Sequence, residues 1–260
     1  MSEGTAVPHG RARLGGYSRW IVSDYVMQRA SIPVAFLVVF GGLWLYVIGR
    51  QAGPARQIAA FQQFAHAMYL QQSAIFLALG GFLATVAVMS VDRSANYFRF
   101  YFAKPVTPVT YYGWTFLLHG VGFVGIFTLF AALWGDATSH ESLRAAAAVG
   151  ALTFLLFGGV SLLAGALSNF DIAITPLVSV VALSFQLTVF APDVGLRGFP
   201  AWMVFTARVL PPVGALQVVS TRLLAAGTWP GAGDLWHIVL YGGVCFALGL
   251  VALRLRSLQR

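Results

Sequence analysis

From Val109 to Trp134 the chain carries no Asp, Glu, Lys or Arg. A membrane-spanning helix needs about 20 predominantly apolar residues, so this stretch fixes the solvent that the fold must face. Five more runs share its character: Ile32 to Ile48, Leu70 to Val91, Ala145 to Leu167, Ile172 to Phe190 and Trp236 to Leu253. With 58% hydrophobic and only 9% charged residues, the composition excludes an ordinary soluble domain. The expected fold is an all-α integral membrane protein, a six-transmembrane-helix bundle.

The few charges are informative because they are few. The formal net charge is +8. It is spread over loops and ends rather than gathered on one face, so it reads as membrane orientation and not as a nucleic-acid surface. Six spans put both termini on one side. Arg11, Arg13, Arg19, Arg29, Arg93, Arg99, Lys104, Arg254, Arg256 and Arg260 then lie in the cytoplasm. The expected location is the cell (inner) membrane, with both ends cytoplasmic. Cys245 is the sole cysteine, so there is no disulfide framework. The first apolar run begins near Ser31, too late and too long for a usual signal peptide, and no cleavable targeting segment is expected.

Two regions precede or interrupt the spans. Residues 1–30 form a cytosolic tail followed by an interfacial helix, the latter over Tyr17 to Ala30. Residues 31–260 form the six-span domain. Within it, residues 200–227 are apolar, but Pro211-Pro212 divides them into two pieces, each too short to cross a bilayer. They are either two half-helices dipping into one leaflet or one broken span. A seventh crossing would place the basic C-terminus outside, so an external re-entrant pair before span six is expected.

Several chemistries lack their residues. A Walker A loop needs a lysine followed by Ser or Thr, and the only lysine, Lys104, is followed by Pro105. The chain is therefore expected to be a non-catalytic membrane subunit with no P-loop. No ionisable Asp, Glu, Lys or Arg lies deep in a span, which disfavours a proton-coupled carrier. The "GAGD" stretch at Gly231 to Asp234 lacks a second intramembrane Asp for protease chemistry, and it reads as a turn with Asp234 capping the last span. His119 and His237 would have to face each other to hold a haem, and nothing in their spacing requires it. No metal site and no cofactor in this chain are expected. Polar Gln71, Gln72, Ser184 and Gln186 interrupt the spans. They suit either a substrate path or hydrogen bonds between helices.

The stretch from Asp92 to Lys104 concentrates charge and rings between the second and third spans. On a helical wheel Asp92, Arg93, Asn96, Arg99 and Lys104 share one broad arc. Tyr97, Phe98, Tyr101 and Phe102 lie mostly opposite, and Phe100 breaks the pattern. Pro105 and Pro108 are expected to stop this helix. It suits a surface anchor, with rings among headgroups, or a lever that docks on a cytosolic partner.

The acidic-basic pair Asp92-Arg93, followed at the appropriate spacing by Lys104-Pro105-Val106, resembles ABC transporter permeases of the exporter-like ABC-2 class. That class has a glycine where this chain has Asn96, and often an acidic residue where it has Arg99. The layout is similar too: an interfacial helix, six spans, and apolar half-helices before the last. The resemblance implies a permease subunit of an ATP-driven transporter. Asp92, Arg93, Asn96, Arg99, Lys104 and Pro105 would form the cytosolic coupling helix. Asp171, in the turn from Ser168, would make a second contact. ATP and Mg would be bound by a separate ATP-binding-cassette ATPase, and a second permease copy or a homologue would complete the pathway among the membrane lipids. The alternative is a non-transporting subunit that anchors or organises a respiratory or photosynthetic complex.

Overall fold

The computed structural model describes residues 18–19, 21–23, 34–35, 38–39, 63, 67–75, 77–78, 107–134, 140–168, 171–189 and 199–258. Among the described residues, six helices run from Pro108 onward: α1 (Pro108–Trp134), α2 (His140–Leu167), α3 (Asp171–Val189), α4 (Ala201–Val209), α5 (Val213–Ala226) and α6 (Ala232–Leu258). Residues 67–75 and 77–78 are helical as well, and no strand occurs among the described residues.

α1 starts where local chemistry favours a start. The Thr107 hydroxyl accepts a hydrogen bond from the Thr110 N–H at 3.2 Å, and Pro108 occupies the first helical position. A threonine cap followed by proline suits a helix N-terminus, because that proline's missing N–H would have had no partner. Pro108 therefore opens α1, one residue before the expected start of this span at Val109. Asp234 departs from its expected place. α6 begins at Ala232, which puts Asp234 inside the first turn, not at the cap. There its charge favours the positive end of the helix dipole.

Among the described residues, three helices are long and apolar enough to cross a membrane: Pro108–Leu133, His140–Leu167 and Ala232–Leu255. α1 and α6 have 27 residues and α2 has 28, or about 40 Å at 1.5 Å per residue. α3 is shorter, with 19 residues. That is about 28 Å, close to the ~30 Å hydrocarbon thickness. Pro176 lies in its first half without ending it. The expected span at Ala145 to Leu167 gains a turn at its start, so Arg144 is helical too. Of the two earlier expected spans, the described residues hold only scattered positions before residue 67 and the start of the second. α4 and α5 meet at a 61° bend, and Gly227 ends α5 at φ 61, a left-handed conformation that glycine adopts without strain.

α2 is the central helix. It packs against α1, α3, α5 and α6. Gly120 of α1 lies against Phe154, and Gly150 lies against Phe127 and Val124, so α1 and α2 are antiparallel. Gly242 of α6 lies against Leu155 and Gly159, and Gly249 lies against Leu162 and Leu163. Both sequences rise together, so α2 and α6 run parallel. α3 turns back after residues 168–170, and its Leu183 faces the same cavity as Thr153 and Phe157.

The core divides along the bundle axis. One cluster joins Phe123, Phe127, Phe130, Val149, Leu152 and Leu216. The other gathers Ile21, Tyr111, Tyr112, Leu162, Ala166 and Leu253. This second cluster unites the N-terminal segment, the start of α1, the end of α2 and the end of α6 at one end of the molecule. Trp114 Nε1 donates to Ser18 Oγ at 2.7 Å and ties the N-terminal segment to α1. Outward-facing apolar side chains remain, including Leu117 and Val121 on α1 and Leu240, Val244 and Leu248 on α6. This is the exposure a bilayer covers. Exposed Trp202, Trp229 and Trp236 lie near the beginnings of α4 and α6, as rings at a membrane interface do.

Candidate functional site

The bend between α4 and α5 follows from its prolines. In a continuous helix, the N–H of residue 211 would bond to the carbonyl of residue 207. Pro211 has no N–H, so the Ala207 carbonyl loses its partner. Gln186 of α3 supplies one. Its Nε2 donates to the Ala207 carbonyl at 3.1 Å and to the Pro211 carbonyl at 2.8 Å. Its Oε1 accepts from the Gly214 N–H at 2.7 Å, one of the unpaired amides in the first turn of α5. One buried amide therefore replaces helix bonds on both sides of the break. Gly214 also keeps this approach close: a Cβ there would lie 3.1 Å from Gln186 Oε1.

Gln186→Leu should leave these three backbone groups without that partner. A buried, unsatisfied polar group costs about 1–3 kcal/mol. The expected result is faster amide exchange at Gly214 and nearby residues, while α2 and α6 keep their protection. Hydrogen exchange followed by mass spectrometry checks this, and unchanged exchange at the break would remove the clamp from the account.

Beside the clamp lies a partly enclosed cavity of about 330 Å³ between the 67–78 segment, α2, α3 and α5. Leu70, Leu77, Phe157, Leu183, Leu216 and Leu224 are among the apolar residues of its wall. Thr153, Gln217, Ser220 and Thr221 contribute the polar atoms, and none of the described lining residues is charged. Its volume falls at the lower end of the range for small-molecule sites, and the mostly apolar wall with few polar groups is usual for them.

Comparison with known proteins matched no family model and no curated protein. The site therefore rests on its own chemistry. Gln186 is buried in the clamp, so of its two expected uses it shows the hydrogen bonds between elements. Ser184 is exposed and donates back to the Val180 carbonyl at 2.9 Å. Gln71 is exposed and Gln72 is buried. None of these four lines the cavity, although their neighbours Leu70 and Leu183 do. Asp171 is the first residue of α3. Asp92, Arg93, Asn96, Arg99, Lys104 and Pro105 lie outside the described residues. His119 is buried in α1 while His237 is exposed, and no group of three metal-ligating side chains occurs among the described residues.

The cavity residues were missed because no run of sequence contains them. They come from four separate elements. The available signal was the polar group Gln217, Ser220 and Thr221 on the mostly apolar α5.

Proposed function

We propose that the chain is the membrane-spanning permease subunit of an ATP-driven exporter of the ABC-2 type, and that a separate ATPase supplies the energy. The supporting sequence pattern is Asp92-Arg93 followed by Lys104-Pro105-Val106. The observation that carries the reading is the cluster of Ile21, Tyr111, Tyr112, Leu162, Ala166 and Leu253. It brings to one end the N-terminal segment, the helix that follows the charged loop, the helix that precedes Asp171, and the last helix before the C-terminus. A cytosolic ATPase touching both turns would need that common end. ATP-driven closure of the ATPases would push on these turns, and two permease copies would rock about their interface.

The parallel course of α2 and α6 supports the re-entrant reading of α4 and α5. With α3 turning back from α2, the chain leaves α3 at the end of the bundle where α6 begins. On that reading α4 and α5 make no net crossing. Six spans with cytoplasmic termini follow once two crossings precede α1. In a background of Cys245→Ser, a cysteine at Gln57 should react with an impermeant thiol reagent in intact cells, and one at Ser257 only after the membrane is opened. Labelling of Ser257 from outside would refute this topology.

The decisive experiment is purification from native membranes. An ATPase with a Walker A loop should co-elute, and ATP hydrolysis should follow that partner. The isolated chain should neither bind nor hydrolyse ATP, since it has no P-loop lysine. Co-elution with redox or pigment-binding subunits, and no ATPase, would replace the transporter with an organising subunit.

A further inference from the structure

We infer that α4 lies along the membrane–water interface at the end of the bundle where α3 finishes, with Trp202, Phe205 and Val209 among the lipid chains and the Arg208 guanidinium on a phospholipid phosphate. This inference requires a chain that spans a membrane, not one that transports.

The side chains of α4 divide cleanly for so short a helix. Trp202, Phe205 and Val209 fall within an arc of about 60° at the helical period. All three are exposed, and Phe205, at 68%, is the most exposed large apolar side chain among the described residues. Ala207, on the other side of the helix, is buried. Arg208 is exposed beside the stripe, and α4 contains no acidic residue. An outward apolar stripe flanked by a cation suits the boundary between acyl chains and headgroups. The forked donors of a guanidinium match phosphate oxygens, and so long a side chain reaches them while its stem stays in lipid. The stripe runs the length of the helix, so contact along all of it lays α4 nearly parallel to the membrane surface.

α3 fixes the depth. Its 19 residues span about 28 Å, close to the hydrocarbon thickness, so its ends mark the edges of the apolar layer. Gln186 lies three residues before Val189, the last residue of α3, or about 5 Å along the axis. Through its bonds to the Ala207 and Pro211 carbonyls, it holds the C-terminal end of α4 near that edge. Interfacial helices bury their apolar face by about 5–10 Å, which agrees. Two tryptophans outside α4 mark the same level. Trp229 precedes α6, Trp236 lies in its second turn, and both are exposed. α6 begins at the end of the bundle where α3 finishes, and exposed tryptophans collect at membrane interfaces. α4 packs against α3, whose outward side chains Leu177, Val180 and Leu187 are also exposed. Lipid covering α3 therefore continues onto α4.

The test uses the full chain with Cys245→Ser in phosphatidylcholine vesicles, carrying a single nitroxide on Trp202→Cys, Phe205→Cys or Val209→Cys. Collision rates with oxygen and with a water-soluble nickel chelate give the depth of each label. All three labels should meet oxygen more than chelate and lie about 5–10 Å below the phosphates, at closely similar depths. Arg208→Glu should shift the label at Phe205→Cys outward, toward the chelate, because phosphate repels a carboxylate, and Arg208→Lys should leave it in place. The labelled positions are exposed, so no core contact is lost, and each reads the depth independently should one variant elute abnormally. Labels open to the chelate would show a water-facing stripe and overturn the inference. Labels shielded from both reagents, with spectral broadening between nitroxides, would show a second copy of the chain on α4 and overturn it too. A label at Val209→Cys about 10 Å deeper than one at Trp202→Cys would mean that α4 dips into the bilayer, against the in-plane placement. An unshifted label in Arg208→Glu would remove the phosphate contact.

Discussion

Gly242→Leu is expected to destroy the folded bundle, and Gly159→Leu to do the same from the facing helix. A Cβ on Gly242 would lie 2.7 Å from the Leu155 carbonyl oxygen and 2.9 Å from its carbon. A Cβ on Gly159 would strike the Gly242 carbonyl oxygen. These obstacles are backbone atoms, so no rotamer change relieves them and the helices must separate. Overpacking costs about 1–3 kcal/mol, and more where nothing can yield. Here the displaced contact is the most extensive between any two described helices. Gly249, two turns beyond Gly242, would likewise press on Leu162 and Leu163, with 3.1 Å to the Leu163 nitrogen. Small residues at such a crossing let two backbones pack closely within a membrane. Gly243→Ala is the control, because a Cβ there meets nothing within 4 Å. Size-exclusion profiles and melting in detergent should show aggregation for the two leucine variants and parent-like behaviour for Gly243→Ala. A monodisperse Gly242→Leu protein melting with the parent would disprove this account of the crossing.

That crossing also marks the limit of what the sequence disclosed. The runs over α1, α2 and α6 were legible because apolar length alone identifies a span. The break at Pro211-Pro212 was legible because proline chemistry is local. Which glycines would touch was not. Ser161 and Gly165 form an obvious small-residue pair on α2, yet the close backbone approach falls at Gly159 and Gly242. Helices that are apolar on every side carry little periodic signal to say which face turns inward. The same limit applies to Gln186. A glutamine in a span announces that it must bond to something, but only the three-dimensional arrangement shows that its partners are the carbonyls of Ala207 and Pro211 and the amide of Gly214.

On the proposed function, the other large effect belongs to the loop before α1. Thr107 and Pro108 fix where the helix begins, and Tyr111 and Tyr112 anchor that beginning to Leu162, Ala166 and Leu253. Force applied to the loop would therefore enter the bundle where α1, α2 and α6 already share a core. If the loop only rests on lipid, its rings should matter more than its charges. If it enters a groove on an ATPase, the charges of Asp92 and Arg93 become buried and paired. Truncating one partner of such a pair costs about 2–5 kcal/mol, whereas a charge at the rim mainly changes the association rate. Asp92→Ala and Arg93→Ala should therefore preserve expression and folding but weaken assembly by roughly 30-fold or more, or leave ATP hydrolysis running without transport. Arg99→Glu should also impair assembly, because a partner matched to a cation would meet an anion. A compensating charge reversal on the ATPase should restore it, a rescue that a lipid anchor has no means to produce. Titrating the ATPase against vesicle-reconstituted variants measures each effect. Parent-like assembly and transport by all three variants would return Asp92 to Lys104 to the role of a surface anchor.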